Sequence, residues 1–298
     1  ARTFLINYLL ARQKGWRILM RIEDLDGPRT KTGADRQALD DLAWLGLTWD
    51  GPVVYQSHRT DAYHQALEHL VEMDQAYPCV CSRKDIELAG GAPHADEHIV
   101  AYPNTCRARF RSADHARDET GRPIAWRVKV DDCPLTVDDA FAGPHDFNLH
   151  ELCGDFVIFR GSGLAAYQLA VVVDDAAAGV NEIVRGDDLL ASAAMQTHLR
   201  RLLDLGPEPR GWHVPLVYGP DGRRLAKRHG DTRLSHYRDL GTPQQRMLGL
   251  LAHWCGALDA PRETTMDELL ATFDIARMSH EYTVFTDQDD QFLLGKGT

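Results

Sequence analysis

Long apolar runs are missing from this sequence. No stretch approaches the roughly 18 apolar residues that a membrane-spanning helix needs. The N-terminus, Ala1-Arg2-Thr3-Phe4-Leu5-Ile6, lacks the layout of a secretory signal and lacks an initiator methionine, so Ala1 need not be the true start. Positive charge is in short supply: 33 Lys and Arg stand against 44 Asp and Glu, a net charge of −11. A chain with that balance does not hold nucleic acid by bulk charge, and an RNA contact would need basic residues gathered locally. Cysteine is scarce as well, and the six present, without an export signal, argue against a disulfide framework. Repeats and low-complexity tracts are absent. What remains is globular: 44% hydrophobic and 26% charged residues, in 298 residues. That length suits roughly two ordinary domains, or one domain carrying a large insertion. A soluble, cytoplasmic, monomeric enzyme is the expectation.

Apolar periodicity predicts helices over 3–15, 35–44, 63–73 and 192–203, and a mainly helical region after Leu225 whose most apolar part is 246–257. In the third helix Ala66, Leu67, Leu70 and Val71 form the inward face. Strands are expected at 17–22, 51–58, 155–160, 166–173, 181–185 and 214–218. Between Tyr77 and Pro144 the pattern breaks into Gly, Pro, His, Cys and Arg, which reads as an insertion. Helices alternating with strands, and acidic groups after strand ends, fit a parallel α/β sheet with ligands at its C-terminal edge.

Four groups of residues carry chemistry. Glu23, in Arg21-Ile22-Glu23-Asp24-Leu25-Asp26-Gly27-Pro28-Arg29, stands where a carboxylate can hold an amino group, although a solvated acidic turn would look the same. Tyr167 and, eighteen residues on, Arg185 offer a hydroxyl and a guanidinium suited to a carboxylate ligand. The plainer alternative makes Tyr167 core and pairs Arg185 with Asp187 or Asp188. Arg224 and Lys227 lie in a basic, glycine-flanked turn, Asp221 to Gly230, that suits a polyphosphate or else is a solvated loop. Cys79 and Cys81, with Cys106 after 24 intervening residues, have the composition of a zinc site; Tyr102, His94 and His98 lie between them. Arg107, Arg109 and Arg111, with Arg200 and Arg201, are the local basic clusters that an RNA contact could use.

In order, RIEDLDGPR (21–29), CVCSRKDI (79–86), YPNTCR (102–107), AYQLAVVVDD (166–175), VRGDDLL (184–190) and RLAKRHG (224–230) resemble the class I glutamyl-tRNA synthetase family, over about residues 1–245. The resemblance implies a Rossmann-type parallel sheet split by a zinc-containing insertion and followed by a helical segment. It divides the chain into 1–76 and 151–218 as two halves of the catalytic domain, 77–150 as the insertion, and 219–298 as the nucleotide loop and helical region. It implies activation of glutamate with ATP and Mg²⁺ to glutamyl-adenylate. Carried over, Glu23, Tyr167 and Arg185 contact glutamate. RLAKR (224–228) stands for a KMSKS-type loop in which Lys227 contacts ATP, Arg224 replaces the first lysine with its charge kept, and Ala226 replaces the serine. Cys79, Cys81, Tyr102 and Cys106 match structural zinc ligands, with His94 or His98 as substitutes for the tyrosine.

Only about 70 residues follow Lys227, too few for the family's anticodon-reading helical domain. The resemblance is therefore to the shorter branch, which activates glutamate without tRNA and attaches it to the queuosine base of tRNA(Asp). A fragment of an enzyme charging tRNA(Glu), or a non-catalytic zinc-stabilised binding protein, are the rival readings. The HIGH-type motif that opens the family has no counterpart here, so about 20 residues, a strand and a loop, are expected upstream of Ala1.

Overall fold

The computed structural model describes residues 1–25, 32–90, 101–223, 225 and 232–296. Helix α1 (Arg2–Lys14) buries Leu5, Ile6, Leu9 and Leu10 along one side. The strand expected at 17–22 shortens to β1 (Arg21–Ile22), which pairs in parallel with β2 (Val54–Tyr55). Its first half is not a buried strand, because Leu19 points outward at 43% exposure. Helix α2 (Ala34–Trp44) lies between the two strands in sequence, and a 3-10 turn (Gln56–Arg59) leads into α3 (Thr60–Glu72). The inward face of α3 runs through Tyr63, Leu67 and Leu70; Val71, expected inward, is exposed.

The irregular stretch contains real elements. Strand β3 (Ala76–Cys79) is followed by helices α4 (Arg83–Gly90) and α5 (Ala113–Thr120), then β4 (Ala125–Val128). A hairpin of β5 (Pro134–Asp139) and β6 (Gly143–Asn148), the short helix α6 (Leu149–Leu152) and β7 (Val157–Phe159) complete it. Strands β3, β4 and β7 form one antiparallel sheet.

The largest correction concerns 166–173. The run is not a strand but the start of helix α7 (Tyr167–Ala177). Three consecutive valines favour a strand. Beyond the acidic pair Asp174-Asp175, however, Ala176, Ala177 and Ala178 lead to Gly179 in the left-handed conformation, φ 66°, which closes a helix. Its apolar first half is packed in the core, with Leu169 and Ala170 fully buried. After it, β8 (Glu182–Gly186), a 3-10 turn (Asp187–Leu189), α8 (Leu190–Leu202) and β9 (Arg210–Val214) form a parallel strand–helix–strand unit. The sheet order is β6-β5-β9-β8, with β5 and β9 also parallel. The expected strand 214–218 is split at Pro215, which has no N–H for a ladder. Its second part, β10 (Val217–Tyr218), pairs with β11 (Thr283–Val284) near the chain end.

Helices α9 (Leu234–Asp239), α10 (Gln244–Trp254), α11 (Met266–Thr272) and α12 (Asp287–Leu294) make the C-terminal region helical. Leu248, Leu250 and Leu251 of α10 share a core with Leu5, Leu9 and Leu10 of α1. Buried Arg2 adds a polar tie, donating to the Pro215 carbonyl and to Thr283 Oγ1. The described helices include none long and apolar enough to cross a membrane.

The helical state of α7 relocates two carboxylates that the strand reading put at a sheet edge. Asp174 and Asp175 are buried in its last turns. Asp174 accepts from Tyr63 Oη (2.8 Å), Gln56 Nε2 (2.9 Å) and Arg59 Nε, and Asp175 from Arg21. These bonds fasten α7 to α3 and to the β1–β2 pair. Removing one partner strands the others in the core. Asp174→Ala is expected to cost about 3–5 kcal/mol, read as a lower urea midpoint.

Candidate active site

Three elements converge on one face. Glu23 directly follows β1, Tyr167 opens α7, and Arg185 sits on β8. The structure therefore brings the three sequence-predicted residues together. Arg21 ties Glu23 to α7, reaching Glu23 Oε1 at 3.2 Å while paired with Asp175. Tyr167 lies within electrostatic range of Arg185, Glu23 and Arg21. Burial pushes the Tyr167 phenol up in pKa against the pull of Arg185, so it stays protonated.

Arg185 is held by neutral acceptors. Its Nε–H donates to His213 Nε2 at 2.8 Å and its Nη1 to Gln196 Oε1 at 2.8 Å. Gln196 is oriented in turn, its Nε2 donating to Gln168 Oε1 at 2.8 Å, and Gln168 Nε2 donates to Ser192 Oγ at 3.0 Å. The pairing with Asp187 or Asp188, weighed from sequence, is not what the fold builds. Burial draws the Arg185 pKa down, opposed first by Tyr167 and then by the fields of Asp175 and Asp139. A half-buried guanidinium with neutral partners keeps its charge available for an anionic ligand. It also lines a cavity of about 70 Å³ with Gln196, His213, Asp175 and Thr197.

Arg224 and Lys227 lie outside the described residues, as do His94 and His98.

The cysteines form a second centre. Cys79 ends β3, Cys81 follows it, and Cys106 and Tyr102 come from the turn before α5. The three sulfur atoms lie within 4.8 Å of one another, with Cys81 and Cys106 at 3.5 Å. Tyr102 Oη is 3.4 Å from Cys79 Sγ and 3.5 Å from Cys81 Sγ. Zinc–sulfur bonds of about 2.3 Å in a tetrahedron put sulfurs about 3.8 Å apart, so three sulfurs and an oxygen at these separations fit one such ion. Arg127 is buried beside them, with its Nε 3.3 Å from Cys79 Sγ and its guanidinium 3.6 Å from the Tyr102 ring centre. That cation offsets the negative charge of thiolate and phenolate ligands. A hydrogen bond from the Cys79 thiol draws Cys106 down to about 6, while the bond to Cys106, with burial, pushes Cys79 up to about 12.

The turn that aims Tyr102 depends on a glycine. Gly154, at φ 62°, passes so close that a Cβ there would sit 2.4 Å from the Tyr102 carbonyl oxygen. The neighbouring Cys153 carbonyl accepts the Tyr102 N–H at 2.9 Å. Gly154→Ala is expected to push Tyr102 out of the cluster and to weaken metal retention about tenfold or more, measured by competition with a chromophoric chelator.

The basic clusters fare differently. Arg107 faces buried Asp155 at 3.4 Å, Arg109 pairs with Glu119 at 2.8 Å, and Arg201 with Glu208 at 2.7 Å. Arg200 is buried, donates to the Gly206 carbonyl in the loop after α8, and lines the same cavity as Arg185. Sequence reasoning missed His213, Asp139, Gln196 and Arg127. Only the polar His213 within an otherwise apolar strand (GWHVP) was a visible signal.

Comparison with known proteins agrees with this layout. The family model for tRNA synthetases class I (E and Q), catalytic domain, matches residues 1–290. A glutamyl-Q tRNA(Asp) synthetase of Rhodopirellula baltica is 42% identical over 96% of this chain and 92% of its own length. That of Nocardia farcinica is 44% identical over 96% of this chain and 88% of its own. A crystal structure of a glutamate tRNA ligase from Elizabethkingia meningosepticum, in complex with its amino acid, superposes with a TM-score of 0.80 at 24% identity. That pair shares the fold over 98% of this chain, which spans about two-thirds (65%) of the longer ligase. A match over nearly the whole length, with relatives above 40% identity end to end, leaves one assignment: the chain belongs to the class I tRNA synthetases of the E and Q type.

Proposed function

We propose that this protein activates glutamate with ATP, without tRNA, and transfers it to the queuosine base of tRNA(Asp). The observation that carries the first half is Arg185, a partly buried cation whose hydrogen-bond partners are neutral and which lies beside Tyr167, itself within electrostatic range of Glu23. The name shared by the Rhodopirellula baltica and Nocardia farcinica relatives supports the acceptor.

In this reading the Arg185 guanidinium receives the side-chain carboxylate of glutamate, Glu23 holds its α-amino group, and Tyr167 orients it. An α-carboxylate oxygen then attacks the α-phosphorus of Mg-ATP in line. The new carboxyl–phosphorus bond forms as the bond to pyrophosphate breaks. Lys227 and Arg224 neutralise the charge on the departing pyrophosphate. The adenylate carbonyl is next attacked by a hydroxyl on queuosine's cyclopentene ring, giving an ester and AMP. The protein's share is positioning and charge neutralisation.

Cys79, Cys81, Tyr102 and Cys106 would hold a zinc ion whose four-ligand shell gives it a structural role. Residues 1–76 and 151–218 are assigned as the catalytic halves, 77–150 as the zinc-bearing insertion, and 219–298 as the nucleotide loop and helical region. A cytoplasmic monomer completes the reading.

The test of activation is glutamate-dependent ATP–pyrophosphate exchange by the full-length protein with no tRNA present. Exchange is expected with glutamate and not with glutamine. A strict requirement for tRNA, or exchange driven equally by glutamine, would contradict the reading.

A further inference from the structure

Arg185 is held from behind by a pair of residues far from it in sequence. His213 Nδ1–H donates to Asp139 Oδ2 at 2.6 Å, while His213 Nε2 accepts from Arg185 Nε–H at 2.8 Å. Both residues are buried, at 1% and 3% exposure. The Asp139 carboxylate is fixed by further donors: the N–H groups of Phe141 (3.0 Å) and Ala142 (2.8 Å) reach Oδ1, and that of His213 reaches both oxygens. These bonds outweigh burial and hold its pKa well below the usual carboxylate range, so it is ionised.

The arrangement admits one protonation state. Nε2 faces a donor, so it carries no proton, and the ring proton sits on Nδ1 where Asp139 takes it. A doubly protonated ring would set N–H against N–H and cation against cation. The space for the carboxylate is also built in. Gly211, on β9 opposite Asp139 in the β5–β9 pair, has no side chain there. A Cβ at Gly211 would lie 2.6 Å from Asp139 Oδ2 and 3.3 Å from the His213 ring. Gly211 is not in the left-handed region, so its backbone does not require glycine; the neighbouring carboxylate does.

We propose that Asp139 and His213, with Gly211 making room for them, are positioning residues for glutamate selection. Asp139 selects the Nδ1–H tautomer of His213, and that tautomer anchors Arg185 through Nε, which leaves the outer Nη edge (Nη2 and the Nη1–H not given to Gln196) for the substrate carboxylate. A carboxylate bonded directly to Arg185 would neutralise the receptor; an imidazole in between anchors it without occupying that edge. The inference rests on Arg185 being the glutamate receptor.

Asp139→Asn tests it. The amide can donate to Nδ1, which moves the ring proton to Nε2 and turns an acceptor for Arg185 into a competing donor. In the full-length protein, exchange kinetics should show KM for glutamate raised about tenfold to a hundredfold, with KM for ATP changed less than about twofold. Gly211→Ala should shift the same constant in the same direction. Neither change should add to the effect of Arg185→Ala when combined with it. Independently of any variant, the ¹⁵N ring shifts of His213 in the unsubstituted protein should report a neutral Nδ1–H tautomer.

An Nε2–H tautomer there overturns the proposal. So does an Asp139→Asn protein whose KM for glutamate is unchanged while Arg185→Ala raises it, or one that loses glutamate and ATP binding equally. If Arg185→Ala itself leaves KM for glutamate unchanged, the receptor reading fails first and this inference falls with it.

Discussion

Replacing Arg185 by alanine is expected to lower kcat/KM for glutamate in ATP–pyrophosphate exchange by about a thousandfold, or ~4 kcal/mol. The effect is large for two reasons. The substrate carboxylate loses its charge-assisted partner in a site partly withdrawn from water. His213 Nε2 and Gln196 Oε1, which now accept from Arg185, lose their donor at the same time. Binding of ATP alone should be nearly unaffected, because nothing in the contacts of Arg185 points to the nucleotide. Arg185→Lys should recover little. A lysine ammonium cannot serve His213, Gln196 and a ligand in the planar geometry that the guanidinium supplies. Exchange unchanged in Arg185→Ala would remove Arg185 from the site.

Loss of the metal is the second change expected to have a large effect. Cys106→Ala should abolish retention of about one equivalent of zinc, measured by elemental analysis, and should lower the thermal midpoint by about 10 °C. The core around the cluster is small: Tyr77, Cys79, Val80, Tyr102, Cys106, Phe110 and Ala116 are its buried residues. Three of these seven (Cys79, Tyr102 and Cys106), with the adjoining Cys81, would be bonded to the ion, so the local fold depends on it. Cys133→Ala is the control, because that thiol is exposed and far from the cluster. The pH dependence has a definite sign. Without the ion Cys79 is pushed up to about 12, so it is protonated at neutral pH and metal binding must release that proton. Affinity for the metal therefore falls as pH falls. A protein that keeps its midpoint and its metal content after Cys106→Ala would rule out a structural zinc site there.

Much of this was legible in the sequence, for physical reasons that differ from place to place. Arg185 stood out as a charge at a strand end, but pairing with Asp187 or Asp188 would have looked the same, and its suggested role needed the family resemblance. The cysteine cluster was legible from composition and spacing, since a Cys-x-Cys pair followed by Cys106, in a chain without an export signal, suits a zinc site better than a disulfide framework. Tyr102 needed the family resemblance; its phenol has no spacing rule of its own. The valines of α7 misled because β-branched residues favour strands locally, and the alanine run with Gly179 that decides for a helix lies beyond the acidic pair. That error moved Asp174 and Asp175 from a ligand edge to a buried hub.

The Asp139–His213 pair was not legible at all. Its members are 74 positions apart, and their meeting depends on β5 and β9 lying side by side in parallel. A pattern within one segment cannot report a bond set by sheet order. The arginine clusters divide. Arg200 is buried and bonded to the Gly206 carbonyl, whereas Arg109 and Arg201 pair with surface acids and stay exposed.

The measurement closest to the central claim is transfer of labelled glutamate by the full-length protein with ATP and Mg²⁺. Three acceptors are compared: tRNA(Asp) carrying queuosine, tRNA(Asp) lacking it, and tRNA(Glu). Label on the queuosine-bearing tRNA(Asp) alone is the predicted result. Label on tRNA(Glu), or on tRNA(Asp) regardless of queuosine, would contradict it.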